Sequence, residues 1–132
     1  MNRTQPAAAL LAFLASACAT VPAAETPAGP ARTLAPGEPA DCPLTIVFGS
    51  YAMGIDRSTL EQVDALLNAD TSVVAVERRV WGREGEVTLC ARTRTPADAA
   101  RLFEQVKALF PAAPHGPLTV TTGAGQRFHS GD

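Results

Sequence analysis

Two helical stripes limit what this chain can fold into. Leu60, Val63, Leu66 and Leu67 recur at helical spacing, and so do Leu102, Phe103, Val106, Leu109 and Phe110. Each stripe is apolar on one side only, so each helix has one surface to bury. Between and around them lie runs that alternate with period two, the signature of half-buried strands. A chain of this kind must lay both helices on a sheet, and two such helices can cover one face of it.

The first strand is expected over Leu44 to Phe48, with Leu44, Ile46 and Phe48 on one side and Thr45 and Val47 on the other. Ser58-Thr59-Leu60-Glu61 has the form of a capping box that opens the first helix. A second strand runs from about Ser72 to Trp81 and a third from Glu86 to Arg94, joined by the short turn Gly82-Arg83-Glu84-Gly85. Thr95-Pro96 gives an N-cap followed by proline at the first helical position, and Pro111 stops the second helix. Leu118 to Thr122 makes a last strand. The order βαββαβ predicts an α+β fold, a ferredoxin-like two-layer sandwich. In it an antiparallel four-stranded sheet has strands one and three at its centre, with both helices on one face and the other face open.

The amino-terminal part differs in composition. Ala7 to Ala15 is an apolar run too short to span a bilayer, behind the weakly basic start Met1-Asn2-Arg3. It ends in Leu14-Ala15-Ser16-Ala17-Cys18, which resembles the lipobox of bacterial lipoproteins, although the leucine stands one place early. The resemblance implies that residues 1–18 are a signal peptide with Cys18 as the lipidation site. It also implies attachment to the periplasmic side of the outer membrane, because Ala19 is not the aspartate that retains such proteins at the inner membrane. The alternative is plain cleavage after Ala17, which gives a secreted or periplasmic protein. Residues 19–41 carry Pro22, Pro27, Pro30, Pro36 and Pro39 with no aromatic residue and no periodicity, and read as a disordered tether. Residues 42–122 form the folded domain, and the glycine-rich 123–132 is expected to be a flexible tail.

Several chemistries are excluded. The net charge is −2 with no basic run, which argues against nucleic acid. Gly49 and Gly54 have P-loop spacing, yet Ile55 and Asp56 stand where lysine and a hydroxyl residue are needed, so no nucleotide is expected. His115 and His129 have no carboxylate or thiol at ligand spacing, so no metal site and no cofactor are expected. No nucleophile, base and orienting acid can be assembled, and no catalytic residue is named.

With Cys18 given to a lipid, Cys42 and Cys90 remain as a pair in an oxidising compartment and are expected to form a structural disulfide. Strand parity opposes the pairing: Cys90 points to the open face while Cys42 has core-side parity. Either Pro43 displaces Cys42 from the strand or a bulge shifts the register. The most distinctive surface candidate is Arg78, Arg79, Trp81 and Arg83 on an edge strand and hairpin tip. Three guanidiniums beside the only tryptophan suit recognition of a partner; equally, Trp81 could cap the core and the arginines guard an exposed edge.

Val47-Phe48-Gly49-Ser50-Tyr51 before a helix, with Thr95 to Leu109 after the third strand, resembles the two halves of a SPOR domain. The family comprises small bacterial envelope modules that bind peptidoglycan glycan strands on the open sheet face and have no catalytic residues. The resemblance adds Ser50 and Tyr51 to the candidate binding surface. Cys90-Ala91-Arg92-Thr93 stands where the second half would repeat a glycine and an aromatic. The expected function is a non-enzymatic, envelope-anchored binding or interaction lipoprotein whose partner is an envelope protein or a glycan strand. The alternatives are a secreted enzyme of unrecognised type and a propeptide-like protease inhibitor.

Overall fold

The computed structural model describes Pro39 and residues 41–131. The expectations for residues 1–18, lipidation of Cys18 included, lie outside the described residues, as do those for most of 19–41. The elements are β1 (Leu44–Phe48), α1 (Arg57–Ala69), β2 (Val73–Trp81), β3 (Glu86–Thr93), α2 (Pro96–Leu109), β4 (Leu118–Thr122) and β5 (Arg127–Ser130). They build an α+β fold with one antiparallel sheet in the order β2-β3-β1-β4-β5.

Strand β1 is the apolar axis. It pairs with β3 from Leu44↔Ala91 to Phe48↔Val87 and with β4 from Leu44↔Thr122 to Phe48↔Leu118. Directly opposed residues share a face, so Leu44, Ile46 and Phe48 align with Val87, Leu89, Ala91, Leu118 and Val120. Onto this face pack Leu60, Val63 and Leu67 of α1 and Ala99, Leu102, Phe103 and Val106 of α2, in one buried cluster. Both helices therefore cover the same side of the sheet.

The sheet has five strands where four were expected, and the stretch 123–132 is not simply a tail. The turn after β4 is closed by the Gly125 amide donating to the Thr122 carbonyl at 2.9 Å, with Gly125 at φ +94, a conformation that favours glycine. Arg127 to Ser130 then pair back on β4, and Phe128 meets Phe110 at 6.1 Å between ring centroids, under the Lys107 ammonium. Backbone pairing, the Phe128–Phe110 contact and side-chain hydrogen bonds of His129 and Ser130 hold β5. Its sequence, with a single large apolar residue, shows no alternation to read.

Helix α1 also begins differently. Its N-cap is Asp56, whose carboxylate accepts from the Thr59 amide at 2.9 Å, so Ser58 of the expected capping box is already helical. Buried Ile55 fixes the chain just before the cap, which starts the helix earlier. The Asp56 carboxylate also accepts from the His115 amide at 3.1 Å and ties the loop before β4 to the helix entry. Burial pushes the Asp56 carboxyl up, but the amides of Thr59 and His115 outweigh it and hold the group below its ordinary 3.8. Helix α2 has the Thr95 cap, with a full capping box to Asp98 and Pro96 in the first turn. Arg101 of α2 grips Asp70 with two bonds of 2.7 and 3.0 Å, and this hydrogen bonding holds the Asp70 carboxyl far below the usual carboxylate range.

Cys42 and Cys90 form a disulfide with Cα atoms 5.8 Å apart. The parity conflict is resolved at Pro43. The β1–β3 register is regular throughout, and the strand begins only at Leu44, after a bend at Pro43 that takes Cys42 out of the alternation. Cys42 thereby reaches Cys90, which stands on the face away from the helices.

Two outcomes follow. The bridge spans a sequence separation of 48 residues. Loop-closure entropy puts that at about 4 kcal/mol, so urea denaturation of Cys42→Ala/Cys90→Ala should show a loss of that order; an unchanged midpoint would contradict it. Asp56→Ala should lose about 1 kcal/mol at neutral pH. Because the folded-state pKa lies below 3.8, the Asp56 contribution is complete above that value and is lost as pH falls through the folded-state pKa. The variant and the parent should therefore converge in stability in acid.

Candidate functional site

Strand β2 is the long edge of the sheet, and its residues point alternately to its two sides. Val76, Arg78 and Val80 oppose Ala91, Leu89 and Val87, whose side chains are core, so they face the helix side. Glu77, Arg79 and Trp81 oppose Cys90, Thr88 and Glu86 and face the other way. The expected cluster of Arg78, Arg79 and Trp81 is thus divided. Arg78 belongs to the helix side, where its guanidinium bonds the Asp64 carboxylate of α1. The reason is strand geometry alone: neighbours in a strand cannot share a face.

On the far side the Trp81 indole is half-buried, and its Nε1 donates to Thr88 Oγ1 at 2.9 Å. That bond lays the ring across β3 instead of leaving it free. Four residues along the strand from Trp81, Glu77 Oε1 accepts from Arg92 Nε at 2.9 Å, with Asp41 at 4.0 Å from the same guanidinium. Arg79 stands between these groups, exposed, with no ion pair among the described residues. Pro39, Glu77, Arg79, Thr88 and Cys90 line a shallow depression of about 340 Å³ here, and Arg78 borders it although its guanidinium turns to Asp64 on the other side.

The remaining expected residues lie at one end of the sheet. Phe48 at the end of β1 opposes Val87, and Val87 opposes Val80, so the loop after β1 and the β2–β3 hairpin emerge at the same end. Arg83 is exposed in that hairpin, whose Gly82 takes φ +67. Ser50 is half-buried and its Oγ accepts from the Ala52 amide at 3.0 Å, holding Ala52 at φ +79. Tyr51 is 60% exposed and Met53 80%. Register places Ser50 and Tyr51 two strands from the hairpin, roughly 10 Å across the sheet.

The face away from the helices is less open than expected. Its central side chains Thr45, Thr88, Thr119 and Thr121 are all buried, at 2%, 1%, 9% and 2% exposure. The disulfide stands beside Thr45, the Trp81 indole bonds Thr88, and His129 Nδ1 pairs with Thr119 Oγ1 at 2.8 Å. Small side chains among larger neighbours are closed off at the centre, and the exposed side chains of this face stand on the outer strands, Glu77 and Arg79 on β2 and Arg127 and His129 on β5.

A second cavity of about 380 Å³ lies at the opposite end of the sheet, lined by Pro43, Thr93, Pro96, Ala99, Thr122 and Gln126 among others. The sequence carried no signal for it, because its walls come from separate segments and contain no motif. Among the described residues no three His, Cys, Asp or Glu side chains converge as a metal site would require. No family model, no curated protein and no solved structure matches this chain.

Trp81 is neither a core residue nor a free one. Trp81→Ala should lower stability by about 1–2 kcal/mol, less than the ~3–5 kcal/mol of a fully buried aromatic truncation. Thermal or urea unfolding checks this, and a loss above ~3 kcal/mol would make the indole a core element.

Proposed function

We propose that the protein is a non-enzymatic binding module of the bacterial cell envelope, a lipoprotein anchored through Cys18 on the periplasmic side of the outer membrane. In this reading β1 to β4 and the two helices are a ferredoxin-like unit, with β5 an addition beside β4. Its ligand is a peptidoglycan glycan strand, taken by the β2 strip.

One observation carries the reading. The Trp81 indole is fixed by its bond to Thr88, and Thr88 is directly opposed, on the same face of the sheet, to the exposed Arg79, which has no ion pair among the described residues. A half-exposed indole offers a flat surface to the C–H faces of sugar rings, and a guanidinium pairs with the carboxylates of peptide-bearing sugars. An aromatic and an arginine together are also the composition of recognition sites. The Cys42–Cys90 disulfide supports an oxidising compartment, which agrees with the periplasm. The buried threonines leave the centre of the face little to offer a ligand, so in this reading it lies along β2, where Trp81 and Arg79 stand.

The test is retention on purified sacculi. The wild-type protein should be retained, and Trp81→Ala and Arg79→Ala should each reduce retention about tenfold or more. Arg78→Ala should not, since Arg78 points to the other side of the strand. Absence of wild-type retention, or equal effects of Arg78→Ala and Arg79→Ala, would overturn the proposal.

A further inference from the structure

The two edges of the sheet are unlike. Strand β5 has four residues and is held by Phe128 against Phe110 and by the Ser130 hydroxyl donating to the Pro111 carbonyl. Strand β2 has nine residues, roughly 30 Å of extended chain, and no described strand pairs with its outer side. Val74 and Val80 on it are 60% and 65% exposed. A long edge of this kind is a template for another strand unless its sequence forbids the pairing.

We propose that β2 pairs antiparallel with β2 of a second copy about a two-fold axis at Arg78, giving a dimer with one continuous ten-stranded sheet. A two-fold axis perpendicular to the sheet keeps the faces of both copies on matching sides, so a residue can oppose only residues of its own parity. Centred on Arg78, the register sets Glu77 opposite the partner's Arg79, and Arg79 opposite the partner's Glu77. Val76 meets the partner's Val80, and Trp81, whose ring is turned inward to Thr88, stands opposite the partner's Ala75, a small side chain. At the axis two Arg78 side chains meet on the helix side, each already bonded to its own Asp64 carboxylate. Opposite charges therefore face each other twice on the far side, and the like charges at the axis are each neutralised within their own chain.

The neighbouring registers lack this match. A centre at Glu77, whose carboxylate is bonded to its own Arg92, sets Arg78 opposite Val76 and Arg79 opposite Ala75 and so joins no opposite charges, and a centre at Arg79 brings together two guanidiniums that have no ion pair among the described residues. The bulge between Val73 and Ala75 ends the regular strand, which leaves Ala75 to Trp81 as the pairing segment. Glu77 and Arg79 thus exclude other strands and other registers while accepting their own copy. The inference does not rest on the glycan reading and competes with it for Arg79, which in the dimer faces the partner's Glu77; sacculus retention tests the one and self-association the other.

Charge exchange tests it. The full chain is measured by sedimentation equilibrium in a density-matched non-ionic detergent. Wild type should show twice the 13.7 kDa chain mass, with an association that weakens as salt is raised. Glu77→Arg and Arg79→Glu should each weaken self-association about tenfold or more, because both cross-strand pairs become like-charged. An equimolar mixture of the two variants should restore the dimer as a heterodimer. In it positions 77 and 79 are both basic on one chain and both acidic on the other, so each cross-strand pair joins opposite charges again. That rescue also shows that both variants are folded. A wild-type monomer at high protein concentration, variants that remain dimeric, or a mixture that stays monomeric would each overturn the proposal.

Discussion

The pairing of β1 with β3 is the interaction on which the rest depends. Five directly opposed pairs, from Leu44↔Ala91 to Phe48↔Val87, bring Leu44, Ile46, Phe48, Val87, Leu89 and Ala91 together on the face that the helices bury. A slip of one strand by one residue would turn its three core side chains to the far side and remove half the base of the core. The same register puts Cys90 on the far face, opposite Thr45, where the chain turned by Pro43 can bring Cys42 to it. Core and disulfide are therefore two consequences of one alignment, and each protects the other: the bridge penalises unfolding, and the buried face penalises slippage.

From that alignment follows the character of β2. It lies outside β3, at the margin of the helix layer, so its helix-side residues Arg78 and Val80 remain exposed although their partners on β3 are core. Arg78 is accommodated because Asp64 of α1 reaches it. On the other side the disulfide, the Trp81 indole and His129 close off the threonines, and the accessible groups lie on the outer strands, Glu77, Arg79 and Trp81 on β2 and Arg127 and His129 on β5.

The helix stripes and the strand alternation were legible because burial on one face writes a period into the sequence. Strand β5 was not, since four residues with one phenylalanine hold their place through β4 and Phe110, partners that local pattern cannot name. The cap of α1 was misplaced by two residues because Ser58 and Asp56 are both good caps, and buried Ile55 and the distant His115 amide decide between them. The disulfide was legible from the count and from the adjacency of strands one and three, and only the choice between a bend at Pro43 and a bulge needed the structure. Grouping Arg78 with Arg79 and Trp81 followed adjacency in sequence, whereas a strand separates neighbours and unites alternate residues. The buried threonines were invisible because threonine in a strand reads as solvent-facing whether or not larger neighbours enclose it.

The central claim is that recognition takes place on the β2 strip, at Trp81. Because Trp81 is the only tryptophan in the chain, its emission reports that point alone. Titration with solubilised peptidoglycan strands should shift the emission to the blue and protect the indole from acrylamide quenching, as sugar rings displace water from its exposed side. Emission and quenching that stay unchanged at strand concentrations sufficient to hold the protein would contradict the account, because binding would then lie elsewhere.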